Sequence, residues 1–299
     1  MVRPLDTQHG RIVEGDSRAL KWFLVGFSIE ASGDARLYCG MVSFDRFLGI
    51  DYSGAATPGS SLAGLRVYEA GPSFGPREIL PPPSPRKHWT RRGLAEWLVG
   101  ELRDGPPTMV GVDHAFSFPI RYFEVHRLPP EWGGFLDDFC EHWPTDESEM
   151  YVDFVREGRY GNGLNRTGDS RWRRLADERG KAKSVFHFDV PGSVAKSTHA
   201  GLPWLRYLRR ELGAGLHFWP FDGWRIEGNC SVIAEIYPAL WSGSYPSEGR
   251  DSHQHDAYSA ARWMREAQAA GRLSRFFEPD LNAPQRTTAG VEGWIFGLT

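Results

Sequence analysis

Four acidic residues stand at positions where carboxylate chemistry is possible. Asp51 and Asp113 each end an apolar run that is typical of a buried strand. Glu235 lies inside a third such run, and Asp256 lies in the first turn of a predicted long helix. Carboxylates that converge repel one another unless a cation joins them, and a hard divalent cation prefers oxygen ligands. We therefore predict that these four residues bind Mg²⁺ or Mn²⁺ and catalyse phosphodiester hydrolysis, because paired ions activate water and stabilise the leaving oxygen.

Each of these acids also has an ordinary structural interpretation. Asp51 can hydrogen-bond the turn that follows it, and Asp113 can cap the next segment. Glu235 can face solvent from an edge strand, and Asp256 can favour a helix N-terminus. Any one acid alone is therefore ambiguous, and the prediction of a site rests on the set.

A basic stretch of the chain is a candidate for holding a phosphate backbone. Residues 156–183 contain nine Lys and Arg against four Asp and Glu, a net charge of +5, with Trp172 among them. Such a surface can bind phosphates while the ring stacks on a base. We predict that Arg173 and Arg174 bind the substrate and that nucleic acid is the partner. The alternative is a solvated, mobile arginine loop.

The segment 192–201 is a second candidate for anion binding. It does not match a nucleotide-binding phosphate loop, because Ala195 replaces the second glycine. Lys196 and His199 near the start of a helix can still bind an anion, and we predict a substrate-binding role for both. An ordinary helix cap is the alternative. A zinc ligand at His199 is not expected, because no second ligand has a suitable spacing.

The elements that must position these residues alternate between strands and helices. An apolar strand at 47–52 is followed by a hairpin over 62–80. Thr90 then caps a helix that leads to a second apolar strand at 109–113. A helix between two strands is typical of a parallel crossover.

The second half of the pattern adds an insertion, a strand and a long helix. Residues 119–229 predict a mainly helical and loop-like inserted subdomain, followed by a strand at 230–236. Ser252 is expected to cap a helix over 253–270. We predict an α/β fold, with a mixed sheet of a three-stranded meander and parallel crossover strands, flanked by helices.

Four short motifs in this order resemble those of a known family. They are Gly49-Ile50-Asp51-Tyr52-Ser53-Gly54, Val112-Asp113-His114-Ala115-Phe116-Ser117-Phe118-Pro119, Glu235-Ile236-Tyr237-Pro238-Ala239 and His255-Asp256-Ala257-Tyr258-Ser259-Ala260-Ala261. Together they are similar to the family catalogued as domain of unknown function 429, in the RuvC-like branch of the ribonuclease H-like superfamily. The resemblance covers roughly residues 46–297.

The resemblance implies both a fold and an activity. The fold is a ribonuclease H-like mixed sheet with an inserted subdomain. Members of the family are predicted nucleases on grounds of fold, with no established substrate, and the four acids named above occupy their motif positions. His114 departs from the usual pattern, which has a small residue after this aspartate.

Two other function classes remain as alternatives. One is a phosphotransferase or ATPase of the actin and sugar-kinase group, whose core shares the same strand order. The remaining length does not fit a second copy of that core, and Tyr52-Ser53-Gly54-Ala55 lacks the repeated glycines expected at the phosphates. The other alternative is a non-catalytic nucleic-acid-binding module, which retention of all four acids disfavours.

Composition bounds the class of protein. The chain has 299 residues, of which 40% are hydrophobic and 24% charged, and this usage argues against wholesale disorder. The net charge of −3 excludes a uniformly basic nucleic-acid coat but allows a local basic groove. No apolar run of about 18 residues is present, so no membrane partner is expected.

The cysteines and the N-terminal region carry two further expectations. The three cysteines are widely spaced and odd in number, which favours a reducing, cytoplasmic setting. Residues 1–43 contain one weak apolar run, so we expect a poorly packed extension before a domain over 44–299. An added edge strand at 22–29 is the alternative. The oligomeric state stays open.

Overall fold

A mixed six-stranded sheet with helices on both faces dominates the described part of the chain, residues 43–83 and 85–299 of this computed structural model. The strands are β1 (Arg46–Asp51), β2 (Arg66–Gly71), β3 (Phe74–Glu78), β4 (Thr108–Asp113), β5 (Leu216–Trp219) and β6 (Ser231–Glu235). The helices are α1 (Arg91–Arg103), α2 (Ile120–His126), α3 (Trp132–His142), α4 (Val152–Arg156), α5 (Leu175–Gly180), α6 (Ala195–Leu212), α7 (Ser252–Ala269) and α8 (Ala283–Glu292). Within the described residues, no helix has the length and apolar character that crossing a membrane requires.

The first three strands form an antiparallel meander, and the others run parallel to β1. Their order across the sheet is β3-β2-β1-β4-β6-β5. Helix α1 returns the chain between β3 and β4, which allows β4 to lie parallel to β1. Because β1 and β4 are parallel and in step, Asp51 lies directly beside Asp113.

The two faces of the sheet carry separate hydrophobic clusters. One face packs against α1 and α6 through side chains such as Ile50, Val112 and Leu205. The other face packs against α7 through side chains such as Met109 and Ala260. Because successive strand residues point to opposite faces, alternate positions of each strand belong to one cluster or the other.

The predicted α/β class, with a mixed sheet flanked by helices, is confirmed. Thr90 accepts a hydrogen bond from the backbone N–H of Gly93 and caps α1, as predicted. The cap of α7 differs from the prediction, because Asp251 rather than Ser252 accepts from the backbone of Gln254. The Gln254 side chain accepts in return from the Asp251 backbone, and this reciprocal pair satisfies two helix-end donors.

The stretch 119–229 contains a strand that the sequence pattern does not predict. It holds α2 to α6, but Leu216–Trp219 forms β5 and pairs in parallel with β6. Four residues are too few to establish a periodicity, so the strand is not visible in the pattern. β5 extends the sheet at its edge.

Phe44, at the start of the described residues, is already part of the hydrophobic core. The Phe44 side chain is buried, and its backbone N–H and carbonyl both bond the side-chain amide of Gln268 on α7. The predicted extension over residues 1–43 and the alternative strand at 22–29 lie outside the described residues, apart from Ser43.

Candidate active site

Two strands carry the same Gly-x-Asp pattern at their carboxyl ends. Gly49 lies two residues before Asp51 in β1, and Gly111 lies two residues before Asp113 in β4. Residues two apart in a strand point to the same face, so each glycine lies on the face from which its aspartate projects. The parallel register places the two patterns side by side.

Helix α7 packs closely over Gly49. A methyl group at Gly49 would lie 2.6 Å from the backbone nitrogen of Ala261 and closer still to the carbonyl oxygen of Ala257. Only glycine permits such an approach, because it has no Cβ. The contact brings the N-terminal part of α7, with His253 and Asp256, to the ends of β1 and β4.

His253 forms a direct hydrogen bond with Asp51. The ring Nδ1 lies 2.6 Å from Oδ2 of the carboxyl group. Asp51 is buried, whereas the side chain of His253 is 55% exposed. The buried carboxyl group therefore orients an imidazole that reaches solvent.

Asp256 adds a third carboxyl group from the helix side. It is partly buried and hydrogen-bonded to Ser242, and burial raises its pKa. Its negative charge in turn contributes to the raised pKa values of Asp51 and Asp113. Carboxyl groups from β1, β4 and α7 thus lie close enough to repel one another.

Asp51, Asp113 and Asp256 together form the acidic group, which is electrostatically unfavourable without a cation. Burial raises the pKa of Asp51 to about 6, and the hydrogen bond with His253 opposes that rise. Burial also raises the pKa of Asp113 well above its ordinary value, and the charges of three neighbouring acids add to the rise. Buried carboxylates without a cation take up protons instead of ionising fully. The group therefore favours either a proton or a cation.

Glu235 differs from the other three acids, because a buried arginine neutralises it. Its register partner is Val112, one residue before Asp113, so its side chain leaves the sheet on the face opposite α7. There Oε1 and Oε2 accept hydrogen bonds of 2.6 and 2.7 Å from Arg174. Arg174 is 1% exposed and also pairs with Asp177 at 2.7 Å. Glu235 is thus part of a buried ion-pair network. This environment differs from that of a metal ligand, which is the role that the sequence predicts for Glu235.

The structure contradicts a direct nucleic-acid contact by Arg174, because this side chain is buried. Arg173 donates to the backbone carbonyls of Asp177 and Ala182. Other arginines of the stretch pair with acidic side chains: Arg156 with Asp189, Arg159 with Glu157, Arg166 with Asp138 and Arg171 with Asp169. Two of these acids lie outside the stretch, so a charge count along the sequence overstates its positive surface.

One part of the basic stretch does reach the acidic group. Arg174 and Lys183 line a small cavity together with Asp113 and Glu235. The Lys183 amine donates to the carbonyl of Pro191. The segment around Lys183 therefore borders the carboxyl edge of the sheet.

Lys196 and His199 lie in the first turns of α6, in different environments. Lys196 is partly exposed and pairs with Asp153 at 2.7 Å, and its role in binding substrate stays a prediction. His199 is fully buried, and burial lowers its pKa to about 3. A neutral imidazole does not attract anions, so the prediction of anion binding by His199 is wrong.

The carboxyl groups at the ends of the strands fit a metal site built on two carboxylates, but not the predicted site of four. Among the residues that the structure describes, no group of three or more His, Cys, Asp or Glu side chains is arranged to hold a metal ion. The predicted four-carboxylate arrangement is not formed, because Arg174 engages Glu235. Mg²⁺ is often bound through one or two carboxylates, with water and substrate phosphate completing its shell. Asp51 and Asp113, adjacent in register, fit that mode.

His253 is a candidate functional residue that the sequence motifs do not single out. A usable signal is its position three residues before Asp256, since residues three apart share one face of a helix. The face that presents Asp256 to the strand ends therefore also presents His253. Pairing with Asp51 additionally requires the docking of α7 on β1, which no local pattern shows.

The motifs that carry the family resemblance lie where the acidic residues are found, at the ends of β1, β4 and β6 and along α7. The resemblance rests on these motifs and on the order of the elements. In comparisons with known proteins, no family model, no curated protein and no solved structure matches the chain.

Proposed function

We propose that the chain is a divalent-metal-dependent phosphodiesterase whose active site is formed by Asp51, Asp113 and Asp256. The observation that carries the proposal is the side-by-side placement of Asp51 and Asp113 at the ends of two parallel strands, on the face covered by α7. Ligand sites of open α/β sheets lie beyond the carboxyl ends of the strands. The raised pKa values of both aspartates indicate a site that a divalent cation would stabilise.

Mg²⁺ or Mn²⁺ is the cofactor that these oxygen donors favour. Asp113 and Oδ1 of Asp51 would hold the ion, since Oδ2 of Asp51 is bonded to His253. When bound, such an ion polarises a phosphoryl oxygen and lowers the pKa of a bound water. Glu235 is left out of this set, because Arg174 holds both of its oxygens.

His253 is placed to move a proton during hydrolysis. The hydrogen bond with Asp51 raises the pKa of the imidazole and fixes its orientation. With Nδ1 bound to the carboxyl group, Nε2 is the ring nitrogen that can exchange a proton with substrate. We assign Nε2 as the proton donor to the leaving oxygen, because the raised pKa favours the protonated ring.

The strand order supports a ribonuclease H-like assignment within this proposal. A meander of β1, β2 and β3, with β4 parallel to β1 on its other side, agrees with the fold that the family resemblance implies. The last acid then comes from a helix packed on β1, as it does here with Asp256 on α7. Nucleic acid is the substrate class that the same resemblance implies, and we propose it on that ground.

The alternatives receive less support. A phosphotransferase of the actin and sugar-kinase group would need a second core, but the strands of the described residues belong to one sheet, and β5 extends that sheet. A non-catalytic binding module gives no reason for buried carboxyl groups that have no arginine or lysine partner among the described residues. The phosphodiesterase proposal accounts for them.

Hydrolysis assays test the proposal directly. Purified full-length protein is incubated with single- and double-stranded DNA, RNA and bis(p-nitrophenyl) phosphate, in Mg²⁺ or Mn²⁺ and in EDTA. We expect metal-dependent cleavage of at least one substrate and a loss of at least about 100-fold in D113N, as for removal of a group that stabilises transition-state charge.

The matched control is E96Q, an equal change of charge at an exposed position on α1. It should cleave at the wild-type rate. Cleavage by D113N at the wild-type rate, or cleavage that EDTA does not affect, would contradict the proposal.

A further inference from the structure

A second cavity lies within the inserted subdomain, away from the acidic group. Its volume is about 500 Å³, which is in the range of small-molecule sites. Trp143, Phe186 and Phe188 contribute aromatic rings to its wall, and Arg156 and His199 contribute polar groups. The acids of the proposed active site do not line this cavity.

His199 offers this cavity a hydrogen-bond acceptor without a partner. Its Nδ1 lies 2.8 Å from the carbonyl oxygen of Ala195. A carbonyl can only accept, so Nδ1 carries the hydrogen and Nε2 of the neutral ring keeps a bare lone pair. Nε2 is buried and forms no hydrogen bond with any residue that the structure describes. Because such an atom costs free energy unless something satisfies it, the position calls for a ligand that donates an N–H or O–H.

The surroundings of His199 restrict the shape of that ligand. The ring centroids of Trp143 and Phe188 lie 4.5 and 4.7 Å from the centroid of His199. Aromatic rings therefore flank the imidazole, and a flat ring packs against them better than a branched group does. The guanidinium of Arg156 lies 4.8 Å from the Phe188 centroid, and its N–H groups that are not bonded to Asp189 supply donors at the same wall. The cavity therefore offers an acceptor, donors and aromatic faces together.

We propose that this cavity binds a nucleobase, with a base N–H donated to Nε2 of His199 and the ring packed against Phe188 and Trp143. Nucleobases carry donors and acceptors on one flat edge, which matches an imidazole acceptor beside the donors of Arg156. This inference rests on the proposed function, which favours a nucleobase over other flat N–H compounds.

The chain itself connects this cavity to the acidic group. Lys183 and Gly192 border the acidic group, and residues 186–190, between them in sequence, line the aromatic cavity. A single segment therefore contacts both places. A nucleotide whose base occupies the cavity is held by the same segment that borders the carboxyl edge of the sheet.

Binding measurements on the full chain without metal test the proposal. Tryptophan fluorescence and calorimetry are recorded with AMP, GMP, CMP and UMP, and with a short single-stranded oligonucleotide. We expect binding in the wild type and at least a tenfold weaker affinity in H199F, which removes the acceptor and keeps a ring. H217F, a change of the same kind at a partly buried histidine on β5, should bind like the wild type.

Further variants keep the outcome interpretable. If H199F does not fold, F188A removes one aromatic wall at a partly exposed position and should weaken binding as well. D113N should bind the base normally, so a failure of the hydrolysis proposal is distinguishable from a failure of this one. Binding of mononucleotides identifies a free-nucleotide source, and binding of the oligonucleotide alone identifies a base within a strand. Absence of binding in both arms, or equal affinity in wild type and H199F, would overturn the proposal.

Discussion

The buried acids on the two faces of the sheet differ in whether a buried arginine pairs with them. On the face covered by α7, Asp51 and Asp113 lie side by side, and Asp51 is hydrogen-bonded to the partly exposed His253, which is cationic when protonated. On the other face, Glu235 and Asp177 share Arg174 in a fully buried network. Burial raises the pKa of Glu235 as well, but the charge of Arg174 opposes that rise.

The contrast separates acids that hold the fold from acids that await a partner. A buried acid that pairs with a buried arginine has a cationic partner inside the protein. A buried acid pair without one lowers stability, and perturbed carboxyl groups of this kind are concentrated at functional sites.

Removing the arginine should destabilise the compensated side strongly. R174M leaves the buried carboxyl groups of Glu235 and Asp177 without a cation, and we expect the free energy of unfolding to fall by about 3–5 kcal/mol. Urea denaturation at pH 7 measures the change. The triple variant R174M/E235M/D177L, which removes the whole network, should recover much of the loss. Equal stability of R174M and wild type would show that the network carries no weight.

Removing a charge from the uncompensated side should have the opposite sign. Folding raises the pKa of Asp51 from 3.8 to about 6, so its stabilising contribution is present below pH 4 and is lost as pH rises through 6. Without metal at pH 8, D51N should therefore be more stable than wild type, by up to about 3 kcal/mol. At pH 4 the two should be nearly equal.

Urea titrations in EDTA at pH 4, 6 and 8 measure this difference. Mg²⁺ should raise the melting temperature of the wild type and have little effect on D51N, which should also lose hydrolytic activity. A D51N protein that is less stable than wild type at pH 8 would mean that Asp51 is a structural residue of the turn.

The glycine contact that builds the uncompensated side can be tested by a single methyl group. G49A places a Cβ against the backbone of Ala257 and Ala261, and we expect a loss of about 1–3 kcal/mol together with loss of hydrolysis. G100A is the matched control, because Gly100 lies in α1 with open space around it. That change should raise stability by about 0.5–1 kcal/mol. Tolerance of G49A would place α7 farther from β1 than the structure does.

Removing an ion pair at the surface should have the smallest effect on the free energy of unfolding. Arg171 pairs with Asp169 at the surface, and the arginine is highly exposed. R171M should leave the free energy of unfolding unchanged within the error of the measurement, because solvent and salt screen exposed pairs. Urea denaturation of R171M and R174M under the same conditions compares the two ion pairs directly. A loss as large as that of R174M would show that burial is not what separates the two pairs.

The order of elements and the placement of three acids could be predicted from local patterns. The apolar runs ending at Asp51 and Asp113 define neighbouring strands, and strand ends meet at one edge of a sheet. The helix cap at Asp251 could also have been predicted from the sequence, since a glutamine three residues later completes a capping box.

The partner of Glu235 could not be predicted in the same way. Arg174 lies 61 residues earlier in an irregular stretch, and nothing local shows that it turns inward while its neighbour Arg173 does not. The paired acids of the other arginines are also distant in some cases, as with Arg166 and Asp138. Charge counted along the chain therefore says little about charge at the surface.

The bond between His253 and Asp51 has a consequence for how the protein folds. The two residues are 202 positions apart, and the inserted helices lie between them in the chain. Contacts of such long sequence separation form slowly, because the loop between them must close first. Strands β1 and β4 can pair before α7 arrives, with Gly49 and Gly111 still uncovered. We therefore expect the acidic group to be completed late in refolding, after the sheet that carries most of it.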